Sequence, residues 1–129
     1  MPLTFTTLLT GLFALMMVPL SLKVSMRRVK LGGISSGDGG DETLHRRIRA
    51  HGNFVEYAPM ALIAVALVEY GGGATSLVIT LACAFLVSRV VHAIGMLYTS
   101  TPTLRAGGML IQHTAFLVSG GWLVFHAVA

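Results

Sequence analysis

The feature that most constrains this chain is a series of four long apolar runs. A helix needs about 20 apolar residues to cross the hydrocarbon core of a bilayer. Residues 3–22 form one such run without a charge, 46–70 a second that turns apolar after its first turn, 74–98 a third and 106–128 a fourth. None has the period-two alternation of a lipid-facing barrel strand, and only helices or closed barrels satisfy every backbone polar group in lipid. The fold class read from this pattern is all-α: an integral membrane four-helix bundle, one domain over residues 1–129. Composition excludes the alternatives. Hydrophobic residues make up 54% of the chain and charged residues 11%, against about 25% charged in a soluble domain. A water-soluble fold of this length cannot bury so much apolar surface, and a disordered chain does not carry it.

The few charges are concentrated. Lys23, Arg27, Arg28, Lys30, Arg46, Arg47 and Arg49 lie in or beside the loop between the first two runs, with Asp38, Asp41 and Glu42. Arg105 occupies the next loop on the same side. Basic loops remain cytoplasmic, so the region 23–49 is expected there and both termini on the opposite side. The first run is not read as a signal peptide, because no basic residue precedes it and no A-x-A site follows. A nucleic-acid partner is not expected: the basic residues border a membrane and no aromatics are interleaved with them.

Residues 31–43 hold five glycines and two serines and read as a flexible loop. Gly37-Asp38-Gly39-Gly40 lacks the Gly-Lys-Ser/Thr ending of a phosphate loop. Asp41 is placed to cap the second helix, with Glu42 in its first turn. Gly71-Gly72-Gly73 predicts a tight hairpin, and Ser100–Thr103 a second turn. Cys83, the sole cysteine, reads as a small buried side chain; neither an intrachain disulfide nor a metal site is expected. Any thiol chemistry needs an external thiol. Trp122 and His126, one turn apart, read as an interfacial anchor.

Ionisable groups inside a bilayer are costly and default to functional hypotheses. With Arg49 at zero on a helical wheel, Asn53 lies at about 40°, Glu56 at about −20°, His45 near −40° and Tyr57 near 80°. His45, Arg49, Asn53 and Glu56 form one polar stripe with Tyr57 at its edge, while His51 points to the opposite side. An internal Arg49–Glu56 pair, or a packing contact between helices, is the structural alternative. A cation, an amide, a carboxylate and a phenol together suit a zwitterionic ligand better. In the third run Arg89, His92 and Met96 share a face. Snorkelling to the basic side is the competing account of Arg89, a hydrogen-bonded core histidine that of His92, and a topology-setting flank charge that of Arg105. Glu69, at the far end of the second run, is expected to be solvated.

The run Arg49-Ala50-His51-Gly52-Asn53-Phe54-Val55-Glu56-Tyr57-Ala58-Pro59 resembles the R-x-x-x-N-x-x-E-Y-x-P signature of the MAPEG superfamily, membrane-associated proteins in eicosanoid and glutathione metabolism. The likeness is greatest to short bacterial members, through the Gly-Asp-Gly-Gly loop and the Arg-x-His-Gly-Asn run. It implies a homotrimer in a bacterial inner membrane that binds glutathione at subunit interfaces open to the cytosol. Carried over by position, Arg49, Asn53, Glu56 and Tyr57 contact glutathione, Arg27 and His51 reach it from a neighbouring subunit, and Arg105 is the catalytic, thiolate-stabilising arginine. Arg89 matches an arginine of the third helix. His92 stands where relatives often carry a tyrosine, and Met96 replaces a second.

The chemistry of the residues agrees. Two arginines can fork the two carboxylates of glutathione, Glu56 can pair with its ammonium, and Asn53 can serve a peptide group. A guanidinium beside a thiol lowers its pKa and supplies the nucleophile. The expectation is a glutathione transferase or lipid-hydroperoxide peroxidase acting on hydrophobic electrophiles, or a member that binds glutathione without turning it over. The alternative is a small multidrug-type proton-coupled transporter, which usually places its carboxylate in the first helix; that run has none here. A haem carrier using His51, His92 or His113 lacks paired spacing.

Overall fold

A computed structural model describes residues 2–129. Its helices are α1 (Thr4–Lys30), α2 (Glu42–Tyr70), α3 (Thr75–Tyr98) and α4 (Thr103–Val128), and no strand occurs among the described residues. All four are long and apolar enough to cross a membrane. The chain is an integral membrane protein of all-α class, as the apolar runs predict. The helices outrun those stretches. α1 continues past Leu22 through the basic residues to Lys30, and α2 begins at Glu42. With 27 residues, α1 is about 40 Å long at 1.5 Å per residue, which exceeds the roughly 30 Å hydrocarbon core. Its basic end therefore projects into the interface. Pro19 and Pro59 lie inside α1 and α2 without ending them, as transmembrane helices tolerate.

The distribution of polarity is that of a membrane protein. Leu15, Val29, Leu117 and Val128 lie on the exterior, while Ser88, Arg89, His92, Gln112 and Ser119 are buried. The apolar core joins Leu9 and Phe13 of α1 to Phe54, Val65 and Val68 of α2 and Val78, Leu81 and Phe85 of α3. The Phe13 and Phe54 rings meet edge to face at 5.3 Å, the arrangement the ring quadrupole favours.

The most extensive helix pair is α3 with α4. Two glycines set its spacing. A Cβ on Gly108 would lie 2.8 Å from the Ser88 carbonyl oxygen and 2.9 Å from the His92 amide nitrogen. One on Gly95 would lie 2.8 Å from the Arg105 amide nitrogen. Small residues of this kind let helix backbones approach where lipid provides no hydrophobic drive for association.

At the opposite end of the bundle Glu69 is half-buried and hydrogen-bonded to α1 rather than left to solvent alone. Its Oε1 accepts from the Phe5 amide at 3.0 Å, and its Oε2 from the Thr6 amide at 2.8 Å and the Thr6 hydroxyl at 2.7 Å. The first amides of a helix have no intrahelical acceptor and sit at the positive end of its dipole. A carboxylate from α2 meets that need for α1, whose own first turn has no acidic residue. The α2–α3 hairpin turns at Gly72 with φ +80°, and Trp122 packs against Gly71 and Gly73. The Trp122 ring stacks on His126 at 3.7 Å. Cys83 is exposed on the outer surface of the chain, not buried; it lines an apolar groove between α1 and α3 with Leu8, Leu12 and Ile79.

Gly108→Ala is expected to destabilise the protein by about 1–3 kcal/mol, because the added methyl meets backbone atoms that cannot rotate away. Gly107→Ala, with nothing within 4 Å of its Cβ, is expected to be neutral or mildly stabilising. Unfolding of both variants in mixed micelles tests the contrast.

Candidate functional site

The site is assembled at the start of α2, where the cap fixes the helix. Asp41 accepts from the Leu44 amide at 2.6 Å, as its position predicts. The same carboxylate receives Arg27 in a two-pronged pair, Nε at 3.0 Å and Nη2 at 2.6 Å. Arg27 and the Leu44 amide hold the Asp41 carboxyl below the usual carboxylate range. Asp38 is held down by the Gly40 amide and by His45, whose Nδ1 lies 2.7 Å from its carboxylate. The glycine loop is thus folded back onto the first turn of α2.

One turn further, Arg46 reaches across to α3. Its Nε donates to the Met96 carbonyl at 2.7 Å, and its Nη2 to the carbonyls of Gly95 and Thr99. A guanidinium here satisfies the last carbonyls of α3 and complements the negative end of its dipole. This contact ties the start of α2 to the end of α3.

Between α2, α3 and α4 lies an open cavity of about 690 Å³. Glu42, His45, Arg46 and Arg49 line it from α2, His92 and Met96 from α3, and Arg105, Ala106 and Met109 from α4. Arg105 Nη1 approaches the Met96 sulfur at 3.6 Å. A thioether is a weak acceptor, so the Arg105 guanidinium keeps most of its donor capacity for a ligand. The Arg46 guanidinium is engaged by α3. None of the three cavity arginines has a carboxylate partner among the described residues, and Arg49 and Arg105 are the two whose guanidiniums are not taken up by backbone carbonyls.

Behind the cavity a buried polar network crosses the bundle. Arg89 is 2% exposed. It donates through Nη1 to the Asn53 side-chain oxygen, through Nε to the Ser88 hydroxyl at 3.4 Å and through Nη2 to the Met109 sulfur at 3.6 Å. Its guanidinium also lies 5.3 Å over the Tyr57 ring. Arg89 therefore does not snorkel to the interface. Ser88 donates to Gln112 Oε1 at 3.0 Å, and Gln112 Nε2 has no partner among the described residues.

The structure places the residues singled out in the sequence in three settings. Arg49, His92 and Arg105 line the cavity. Asn53, Tyr57 and Arg89 form the network behind it, joined to it through Met109. Arg27 is paired with Asp41, His51 is half-buried, and Glu56 is exposed on the outer face of α2. No Arg49–Glu56 ion pair forms; the ion pairs among the described residues are Arg27–Asp41 and Asp38–His45. The roles of Arg46, Met109, Ser88 and Gln112 were not anticipated. Gln112 and Ser88 carried a signal, being polar residues within apolar spans. Arg46 carried none beyond a flank charge.

No solved structure matches this chain significantly. The inner membrane protein YecN is 33% identical over 91 residues, 68% of this chain and 70% of the relative, in both Escherichia coli K12 and Escherichia coli O6:H1. The family model described as MAPEG family matches residues 6–125, from the first turn of α1 to the last turns of α4. The chain belongs to the MAPEG family. The match takes in both the cavity and the buried network, so the resemblance carried by the second-helix signature extends over the whole bundle.

The Asp41 junction should respond to acid. Its carboxyl has an ordinary value of 3.8 and is depressed in the folded protein. A depressed carboxylate contributes stability above the unfolded pKa and loses it as pH falls through the lower folded value. The junction is therefore expected to be intact from pH 5 to 8 and to weaken only below about pH 4. Thermal midpoints in detergent from pH 7 to pH 3 test this: Asp41→Ala should start lower at pH 7 and fall less on acidification than the wild type.

Proposed function

We propose that this MAPEG protein binds glutathione in the cavity between α2, α3 and α4 and presents its thiolate to hydrophobic electrophiles or lipid hydroperoxides. The observation that carries this reading is the pair of uncommitted guanidiniums, Arg49 and Arg105, in one 690 Å³ cavity with His92 and two methionine sulfurs. Glutathione has two carboxylates, an ammonium and a thiol, and the cavity offers cations for the former and a soft, partly apolar wall for the sulfur.

In this reading Arg49 forks a carboxylate. Arg105 hydrogen-bonds the sulfur as it ionises. A free thiol has a pKa near 8.5, so only a few per cent is thiolate at neutral pH, and an adjacent fixed guanidinium raises that fraction. The thiol proton passes to solvent water. Attack on an electrophilic carbon forms a C–S bond as the bond to a leaving group breaks and takes its electron pair. With a hydroperoxide the thiolate takes the terminal oxygen as a sulfenic acid, the O–O bond breaks and the alkoxide is protonated; a second glutathione then closes the disulfide and the oxygen leaves as water. Arg89 holds Asn53 in one orientation behind the ligand.

Glu56 is exposed on a membrane-spanning face of the single chain, and Arg27 lies at the end of α1. A shared site between copies gives Glu56 a use, which supports the trimer that the family resemblance implies; Arg27 reaches such a site by exchanging its Asp41 pair. The same reading places the chain in the bacterial inner membrane, as the name of YecN has it for that protein. The basic region 23–49 faces the cytosol and both termini face away.

Ultraviolet difference absorbance on purified protein tests the chemistry. Glutathione should produce a thiolate band in the wild type. Arg49→Ala should lose binding by calorimetry, whereas Arg105→Ala should bind and give no thiolate band. Normal binding and ionisation in both variants would overturn the residue roles, and absence of calorimetric binding to the wild type would overturn the function.

A further inference from the structure

A second, smaller cavity lies on the adjoining face of α2. Its volume is about 100 Å³, and it is lined by Lys23 of α1, Thr43, Arg46 and Arg47 of α2, and Leu97 and Tyr98 of α3. Three cations converge on it and no carboxylate lines it. Lys23 Nζ lies 5.6 Å over the Tyr98 ring, and Arg47 Nη1 donates to the Lys23 carbonyl oxygen at 2.7 Å. These contacts fix the walls of the cavity without neutralising them.

Among the described residues, no carboxylate is within ion-pair distance of Lys23, Arg46 or Arg47. The ion pairs among the described residues are Arg27–Asp41 and Asp38–His45. Asp41 is the acidic neighbour of Arg47, yet its oxygens already receive Arg27 and the Leu44 amide. Like charges held together near a low-dielectric medium repel, and an anion entering between them relieves that repulsion.

Size and depth identify the anion. At about 30 Å³ per water, the cavity holds roughly three waters, room for a phosphate group and not for a tripeptide. Tyr98 ends α3 and Lys23 lies about two turns before the end of α1, on the membrane face where the basic residues gather. Tyrosine and lysine mark the headgroup level, and basic pockets between transmembrane helices take acidic lipid heads. Leu97 and the two-thirds-exposed Tyr98 provide an apolar border for the attached chains.

We propose that the Lys23–Arg46–Arg47 cavity is a binding site for the phosphate of an anionic phospholipid, separate from the larger cavity and independent of its proposed glutathione chemistry. Arg46 separates the two, and its bonds to α3 make it unsuitable for mutation. Bound lipid braces the ends of α1, α2 and α3 against one another.

The test uses the full chain in neutral detergent, with phosphatidylglycerol, phosphatidylcholine or inorganic phosphate added. Native mass spectrometry should retain phosphatidylglycerol on the wild type, and the thermal midpoint should rise by several degrees with that lipid alone. Lys23→Gln and Tyr98→Leu should lose both effects, while Lys23→Arg and Arg105→Ala should keep them. Equal retention by Lys23→Gln, or equal protection by phosphatidylcholine, overturns the site. A loss in Arg105→Ala as large as that in Lys23→Gln relocates the lipid to the larger cavity and also overturns it. Full protection by inorganic phosphate alone overturns the lipid as the source of the phosphate.

Discussion

The close contact of α3 and α4 at Gly95 and Gly108 is the constraint on which the larger cavity depends. Lipid supplies no hydrophobic force between helices, so van der Waals fit and polar contacts must hold them together. The absence of a side chain at Gly108 lets the Ser88 carbonyl and the His92 amide lie against α4, and its absence at Gly95 lets the Arg105 amide lie against α3. That approach sets Arg105 beside Met96 and Met109 beside Arg89. A wider spacing would separate each guanidinium from its sulfur and open the floor of the cavity to the bundle interior.

Arg89 poses a second problem and resolves it in an uncommon way. A buried cation is costly unless paired or fully hydrogen-bonded. Arg89 has no carboxylate partner among the described residues; an amide, a hydroxyl, a thioether and the face of Tyr57 share its charge. The arrangement leaves Asn53 and Tyr57 of α2 oriented by a residue of α3. It also leaves the positive charge only partly satisfied one side chain away from the larger cavity. The field of that charge adds to those of Arg49 and Arg105, and all three favour anionic groups.

Much of this was legible in the residues. Apolar run length and charge placement specified four helices and their connections, because each span must satisfy its own backbone in lipid. Asp41 as a cap followed from side-chain chemistry at a helix start. The polar stripe on α2 was visible on a wheel, since its period is local, but the wheel did not divide it as the structure does, with Arg49 at the cavity, Asn53 in the buried network and Glu56 on the outer face. What crossed between helices was not. Arg46 serves α3 carbonyls, Glu69 serves α1 amides, and Arg27 takes up Asp41; each looked like a flank charge or a solvated end, because sequence spacing says nothing of the partner helix. Cys83 was misassigned for the same reason: a mid-span residue faces core or lipid according to a helix rotation that tertiary contacts decide.

The bond from Glu69 to the head of α1 joins residues 64 positions apart. Those α1 amides have their acceptor only when the far end of α2 lies beside them. A single carboxylate thus fastens the first two helices together at the end of the bundle away from the cavity, a clasp between segments far apart in the chain.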